Sequence, residues 1–219
     1  MGLLTKKELL PFLGDPQESV RAAVISGLNL ALDGEILEAL AIKIEDPSIP
    51  VRREVAAALG TKRLPEDARQ IQILKKLLSD KAIEVRAQSF ISLYRLGAQE
   101  ALPGACEILA QMKNEAKLEF MERLEKQGAL MTLLDALAHD RDAGKRRQIL
   151  EFLGALDAAR FKNNLVAALG DPETEVRVAA IHALVPLKDE PEIAKAIAAM
   201  TEDPSERIRT AAQWIKLRM

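Results

Sequence analysis

The sequence predicts an all-α, right-handed solenoid of about seven antiparallel helix pairs, on three observations. An Asp-like anchor recurs at positions 15, 46, 80, 111, 140, 171 and 203, at intervals of 31, 34, 31, 29, 31 and 32 residues. In the clear copies an aliphatic and then a basic residue follow five and six positions later. Aromatic residues make up 3% of the chain against 48% hydrophobic, which suits small-residue helix packing and disfavours a sheet. A period near thirty marks units that bury their apolar faces only by stacking on one another.

The first repeat carries Asp15-Pro16-Gln17-Glu18 ahead of Val20-Arg21. Its Asp is expected to cap the second helix, its Pro to sit at the first helical position and Glu18 to complete a capping box. The second repeat repeats the pattern at Asp46–Val51–Arg52, with Ala56–Ala58 small enough for close helix approach. The third, Asp80–Val85–Arg86, follows the longest interval, and the charged stretch Thr61–Arg69 around Pro65 is a lengthened connection. The fourth is degraded to Gln111–Ala116–Lys117, and its second helix is crowded with charge from Glu115 to Lys126. Two apolar faces compete there: Ala116, Phe120 and Leu124, or Leu118, Met121 and Leu124. The fifth, Asp140–Lys145–Arg146, is weaker.

The sixth is the best copy: Val176, Ala180, Ala183 and Leu184 recur on one helical face after Asp171-Pro172, with Arg177 beside them. The seventh reads Asp203–Ile208–Arg209, with Glu206 again at the capping-box position. Gly34, Gly60, Gly97, Gly128, Gly154 and Gly170 are expected to punctuate helix ends, Gly170 through a backbone tolerant of positive φ.

The pattern D-P-x-x-x-V-R-x-A-A-x-x-A-L resembles the HEAT repeat, particularly the bacterial group also found in phycobilin lyases, from about Leu9 to Leu217. The resemblance implies one domain over residues 1–219, with an irregular fourth repeat around 99–127. It also implies a hydrogen-bonded ladder between adjacent repeats. That ladder pairs Asp15, Asp46, Asp80, Asp140, Asp171 and Asp203 with the arginines Arg21, Arg52, Arg86, Arg146, Arg177 and Arg209. Charge-assisted pairs at a partly buried seam would fix register.

Chemistry is sparse. No phosphate-cradling glycine loop is present. His139 and His182 lie in different repeats, Cys106 is the one cysteine, and no His-Glu pair occurs of the kind repeat-built di-iron hydroxylases use. No metal, cofactor or catalytic residue is therefore expected, Cys106 reads as a small buried hydrophobe, and His139 as a favourable charge at a helix end. The net charge of −2 gives no long-range pull towards nucleic acid, and Arg53 and Arg147, flanked by Glu54 and Glu151, make no phosphate-tracking stripe. The N-terminal stretch lacks the basic and apolar regions of a signal peptide, no run is long enough for a membrane span, and the lone cysteine fits a reducing compartment. A cytoplasmic protein is the expectation.

What remains is surface. In such arrays the second helices line the concave face, where partners bind. Counting from the anchors places Arg53, Glu54 and Ala57 there from the second repeat, and Gln88, Ile91 and Tyr94 from the third. The fifth contributes Arg147, Gln148 and Glu151, the sixth His182 and the seventh Trp214, unless Trp214 merely covers the end of the core. A mixed polar and apolar strip suits a protein or peptide partner. The expected function is a non-catalytic interaction scaffold. The alternatives are a phycobilin-lyase-like factor that attaches or removes a tetrapyrrole and, more remotely, a nucleic-acid-binding repeat protein.

Overall fold

The computed structural model describes residues 5–61, 64, 67–98 and 101–218, so Pro65 lies outside the described residues. Fourteen α-helices and several short 3-10 turns are present, with no strand among the described residues. The chain forms two compact units, residues 1–112 with 122–129, and residues 113–121 with 130–219.

The first unit holds α1 (Lys6–Leu9), α2 (Glu18–Leu28), α3 (Gly34–Ile42), α4 (Ile49–Leu59), α5 (Asp67–Leu77), α6 (Ile83–Arg95) and α7 (Leu102–Gln111). Its second helices pack in series, α2 on α4 and α4 on α6, around Ile25, Leu40, Leu59, Leu74 and Phe90, all fully buried. The helix α8 (Asn114–Lys126) contributes residues to both units. The second unit continues with α9 (Ala129–His139), α10 (Ala143–Asp157), α11 (Lys162–Ala167), α12 (Thr174–Leu184), α13 (Pro191–Ala199) and α14 (Glu206–Lys216). There α10 packs on α12 and α12 on α14, over Phe152, Leu165, Ile181 and Ile208. Each unit is thus a stack of antiparallel helix pairs, the construction of an α-solenoid. Among the described residues no helix is long and apolar enough to cross a membrane.

The anchors sit differently from expectation. The second helices begin three residues after each Asp, with Gln17, Ser48, Ala82, Asp142, Glu173 and Ser205 at the N-cap. Each anchor carboxylate instead accepts the amide two residues on, as in Gln17 N to Asp15 Oδ1 (2.8 Å) and Ser205 N to Asp203 Oδ1 (2.8 Å). Asp is therefore an Asx-turn residue ahead of the helix, and Glu18 and Glu206 occupy the first helical position, short of a capping box. One consequence is measurable at Ser48. An N-cap serine changed to alanine ordinarily loses about 1 kcal/mol, but the buried Ser48 hydroxyl makes no hydrogen bond. Ser48→Ala is expected to leave the unfolding free energy within ~0.5 kcal/mol of wild type in a urea titration.

The glycines also divide in two. Gly97 (φ 85°) and Gly128 (φ 75°) adopt the left-handed conformation, whereas Gly170 does not and simply ends a 3-10 turn. Gly60 and Gly154 are sites of close helix approach, where an added Cβ would press on Ser92 and Ala183 respectively. In α8 the face of Phe120 and Leu124 is buried, joined by Met121, while Leu118 is exposed. Phe120 meets Phe152 edge-on at 6.3 Å, which settles the competition between the two faces in favour of the first.

Candidate functional site

The helix starts position a series of charge-assisted forks. Arg21 donates from Nε and Nη2 to both oxygens of Asp46 at 2.8 Å. Arg52 does the same to Asp80 (2.7 and 2.9 Å), Arg146 to Asp171 (2.8 and 2.9 Å) and Arg177 to Asp203 (both 2.9 Å). In every case the third nitrogen, Nη1, turns back to the carbonyl of the arginine's own anchor, as in Arg52 to Asp46 O at 2.7 Å. Each arginine therefore staples its own turn and clasps the next.

The remaining ladder residues are held differently. Arg86 also turns Nη1 back to the carbonyls of Asp80 and Lys81, but onward it meets the amide oxygen of Gln111, at 2.7 Å, because the fourth anchor has lost its carboxylate. Asp140 is held by its own turn and by Lys145 at 3.6 Å, and Lys117 donates to the Ala155 carbonyl. Asp15 accepts the Gln17 amide, and Arg209 donates to the carbonyls of Asp203 and Pro204.

These pairs perturb their carboxyl groups. Burial pushes Asp80 up, but the Arg52 fork, the Ala82 amide and the charges of Arg52 and Lys81 more than reverse it, so Asp80 titrates below the usual carboxylate range. Asp46 and Asp171 follow the same balance with Arg21 and Arg146, and for Asp203 the Arg177 fork outweighs burial. A depressed carboxyl pKa in the folded state contributes stability that is fully present above the unfolded value of about 3.9 and is lost progressively as pH falls from there through the lower folded-state value. The urea midpoint is accordingly expected to hold between about pH 6 and 8 and to drop steadily below about pH 5. A midpoint unchanged down to pH 3 would show that the carboxylates are not clasped in solution.

The second-helix positions do not form one uniform strip. Gln88, Ile91 and Tyr94 are buried, at 2%, 0% and 1% exposure, so the structure removes them from any accessible surface. The reason is that residues 87–94 of α6 are buried on every side. Gln88 exchanges two amide hydrogen bonds with Gln127 (3.1 and 3.2 Å), while Ser89 and Ser92 donate to the carbonyls of Leu74 and Ala56. On α4, Arg53, Glu54 and Ala57 are half-buried. On α10, Arg147 and Gln148 are half-buried, Glu151 is exposed, and Arg147 pairs with Glu151 one turn away.

On α12 and α14 the expected residues meet. His182 and Trp214 are exposed and share a cleft of about 380 Å³ with Val178, Val185, Thr210 and Ile215. A second cleft of about 300 Å³ adjoins it at His182 and runs by Glu151, Gly154, Ala155 and Pro186. The Arg218 guanidinium lies 3.6 Å from the centre of the Trp214 ring, a contact the sequence reading missed although Arg218 stands one helical turn on. Of the seven aromatic residues only Phe12 and Trp214 are exposed. Among the described residues no group of three or more His, Cys, Asp or Glu side chains could hold a metal ion.

Stacked helix pairs joined by Asp–Arg clasps, with side chains free to vary on the second helices, define an α-helical repeat protein. The chain belongs to the HEAT repeat family, whose pattern matches residues 5–93, 36–115 and 130–215. No curated protein matches it by sequence. Among solved structures it is similar to the CpcE and CpcF complex of phycocyanin lyase from Nostoc sp. PCC7120 (20% identity over 97% of this chain and 76% of that one, TM-score 0.44). It is also similar to human deoxyhypusine hydroxylase (20% identity, 97% and 84% covered, TM-score 0.40). A designed armadillo repeat protein in complex with the peptide (KR)4 matches with 18% identity, 96% and 97% covered, and a TM-score of 0.39. At these identities the likeness is one of fold.

Proposed function

We propose that the protein is a non-catalytic interaction module that binds a protein or peptide on its second-helix face, chiefly along α10, α12 and α14. The observation that carries the reading is the pair of adjoining clefts around Glu151, His182 and Trp214. An exposed tryptophan beside aliphatic walls is the side chain that most often dominates a binding interface. Arg147 and Gln148 on α10 extend the proposed surface within the second unit, and Arg53, Glu54 and Ala57 on α4 are proposed as a separate contact on the first. Tetrapyrrole handling would call for a groove walled by rings, and five of the seven aromatic residues are buried.

Photo-crosslinking tests the assignment. A crosslinking residue at position 214 or 182 is expected to capture one partner from an extract of the source organism, and one at Lys195, exposed on α13, is not. Trp214→Ala with His182→Glu should weaken that partner at least ~30-fold. Equal capture from position 195, or unchanged affinity in the double variant, would overturn the reading.

A further inference from the structure

The ladder is interrupted inside the first unit, at the third repeat. Arg86 is anchored as the other ladder arginines are, with Nη1 donating to Asp80 O at 2.8 Å and to Lys81 O at 3.3 Å. In Arg52 the same anchoring leaves Nε and Nη2 pointing onward, and both close on the carboxylate of Asp80. Position 111 offers an uncharged amide instead. Gln111 Oε1 takes Nη2 at 2.7 Å, while Arg86 Nε meets no acceptor among the described residues. The Gln111 amide nitrogen likewise donates to none of them, and Gln111 is exposed. Two donor nitrogens at one exposed contact therefore lack an acceptor.

Charge gives a second, independent pointer. From five residues before the anchor to six after it, the third repeat carries Lys75, Lys76, Lys81 and Arg86 against Asp80 and Glu84, a net charge of +2. The same window is neutral in the second, fourth and fifth repeats and negative in the first, sixth and seventh, with His uncharged. Lys75, Lys76 and Lys81 are exposed, and Asp80 is already engaged by Arg52. We propose that this corner binds an acidic peptide, and that a Glu or Asp side chain of the peptide enters the Arg86 fork. Four times within this chain the same fork holds a carboxylate by both oxygens, which assigns a carboxylate to it in preference to a phosphate ester. The two Nη1 bonds hold the guanidinium in place beforehand, so little side-chain freedom is lost on binding. The lysines attract the flanking carboxylates of such a peptide. Every residue involved belongs to the first unit, none is among those proposed for partner binding, and the inference stands apart from that reading.

Titrating acetylated hexaglutamate into the isotope-labelled full chain at low ionic strength tests it, with the arginine Nε–H resonances as the readout. The Arg86 resonance is expected to shift saturably. Those of Arg21, Arg52, Arg146 and Arg177, whose forks are filled, should stay in place. Gln111→Asp supplies the missing carboxylate from within the chain, so it should bind hexaglutamate at least ~10-fold more weakly with no loss in its urea midpoint. Gln72→Glu adds the same charge one helical turn from Lys75 and Lys76 but leaves position 111 as it is, and should weaken binding less than ~3-fold. An Arg86 resonance that stays still under hexaglutamate overturns the inference, and so does equal weakening in the two variants. Hexathymidylate binding as tightly as hexaglutamate would make the corner a phosphate site and overturn it too.

Discussion

Changing Arg52 to alanine is expected to lower the unfolding free energy by about 3–5 kcal/mol. No other rung is so enclosed: the side chains of Arg52 and Asp80 are 4% and 7% exposed. Removing the guanidinium strips the Asp80 carboxylate of two bonds and leaves it with the Ala82 amide alone. It also frees the carbonyls of Asp46 and Pro47, which Nη1 had satisfied. An uncompensated buried charge, more than the lost attraction, produces the effect. Joint replacement by Arg52→Met and Asp80→Leu should therefore recover most of the loss, since neither partner is left stranded. Arg209→Ala should weaken the protein distinctly less, because its fork holds no carboxylate. Denaturant titrations of the four proteins make the comparison, and an Arg52→Ala variant within ~1 kcal/mol of wild type would falsify the clasp as a source of stability.

The repeat was legible because its grammar is dictated by local chemistry. An Asp that sets a turn, a Val or Ile that enters the core and an Arg that reaches the next repeat recur at fixed spacing, and the helix pairs follow. The helix starts differ from the expected ones for a reason that lies outside the chain's local pattern. The carboxylate of Asp171 accepts the Glu173 amide and the Arg146 fork at once, so the helix begins only after the turn is complete. The accessible surface was half legible. His182 and Trp214 lie where the helical period places them, but Gln88, Ile91 and Tyr94 do not, because α6 is enclosed by its neighbours all round. A helical-wheel argument assigns every helix one wet side. The signal of enclosure was nevertheless present: residues 87–94, Ala-Gln-Ser-Phe-Ile-Ser-Leu-Tyr, contain no charge over two turns.

That enclosure makes Gly60 a sensitive glycine. It closes α4 with φ −90° and ψ −1°, a conformation open to any residue, so alanine meets no backbone objection there. The obstacle is α6. A Cβ at position 60 would overlap the Ser92 hydroxyl and Cβ and stand 2.8 Å from the Ser92 Cα. Rotating Ser92 relieves only the first of these and breaks its 2.7 Å bond to Ala56 O. The helix must move, yet α6 is buried on the sides that would receive it. Gly60→Ala is expected to destabilise by about 3 kcal/mol, at the upper end of ordinary overpacking, and Gly60→Val by more. Gly154→Ala, whose Cβ would come 2.7 Å from the Ala183 methyl and 3.1 Å from its Cα, should cost less. Gly34→Ala, at the first residue of α3 with nothing within 4 Å, should gain a few tenths of a kcal/mol through reduced freedom of the unfolded chain. Pairing Gly60→Ala with Ser92→Gly removes two of the three close contacts, leaving the one at the Cα of residue 92, and forfeits one hydrogen bond, so the double variant should recover part of the loss of Gly60→Ala. If thermal melts place Gly60→Ala level with Gly34→Ala, then α4 and α6 do not approach this closely, and the tight seam that buries Gln88, Ile91 and Tyr94 goes with it.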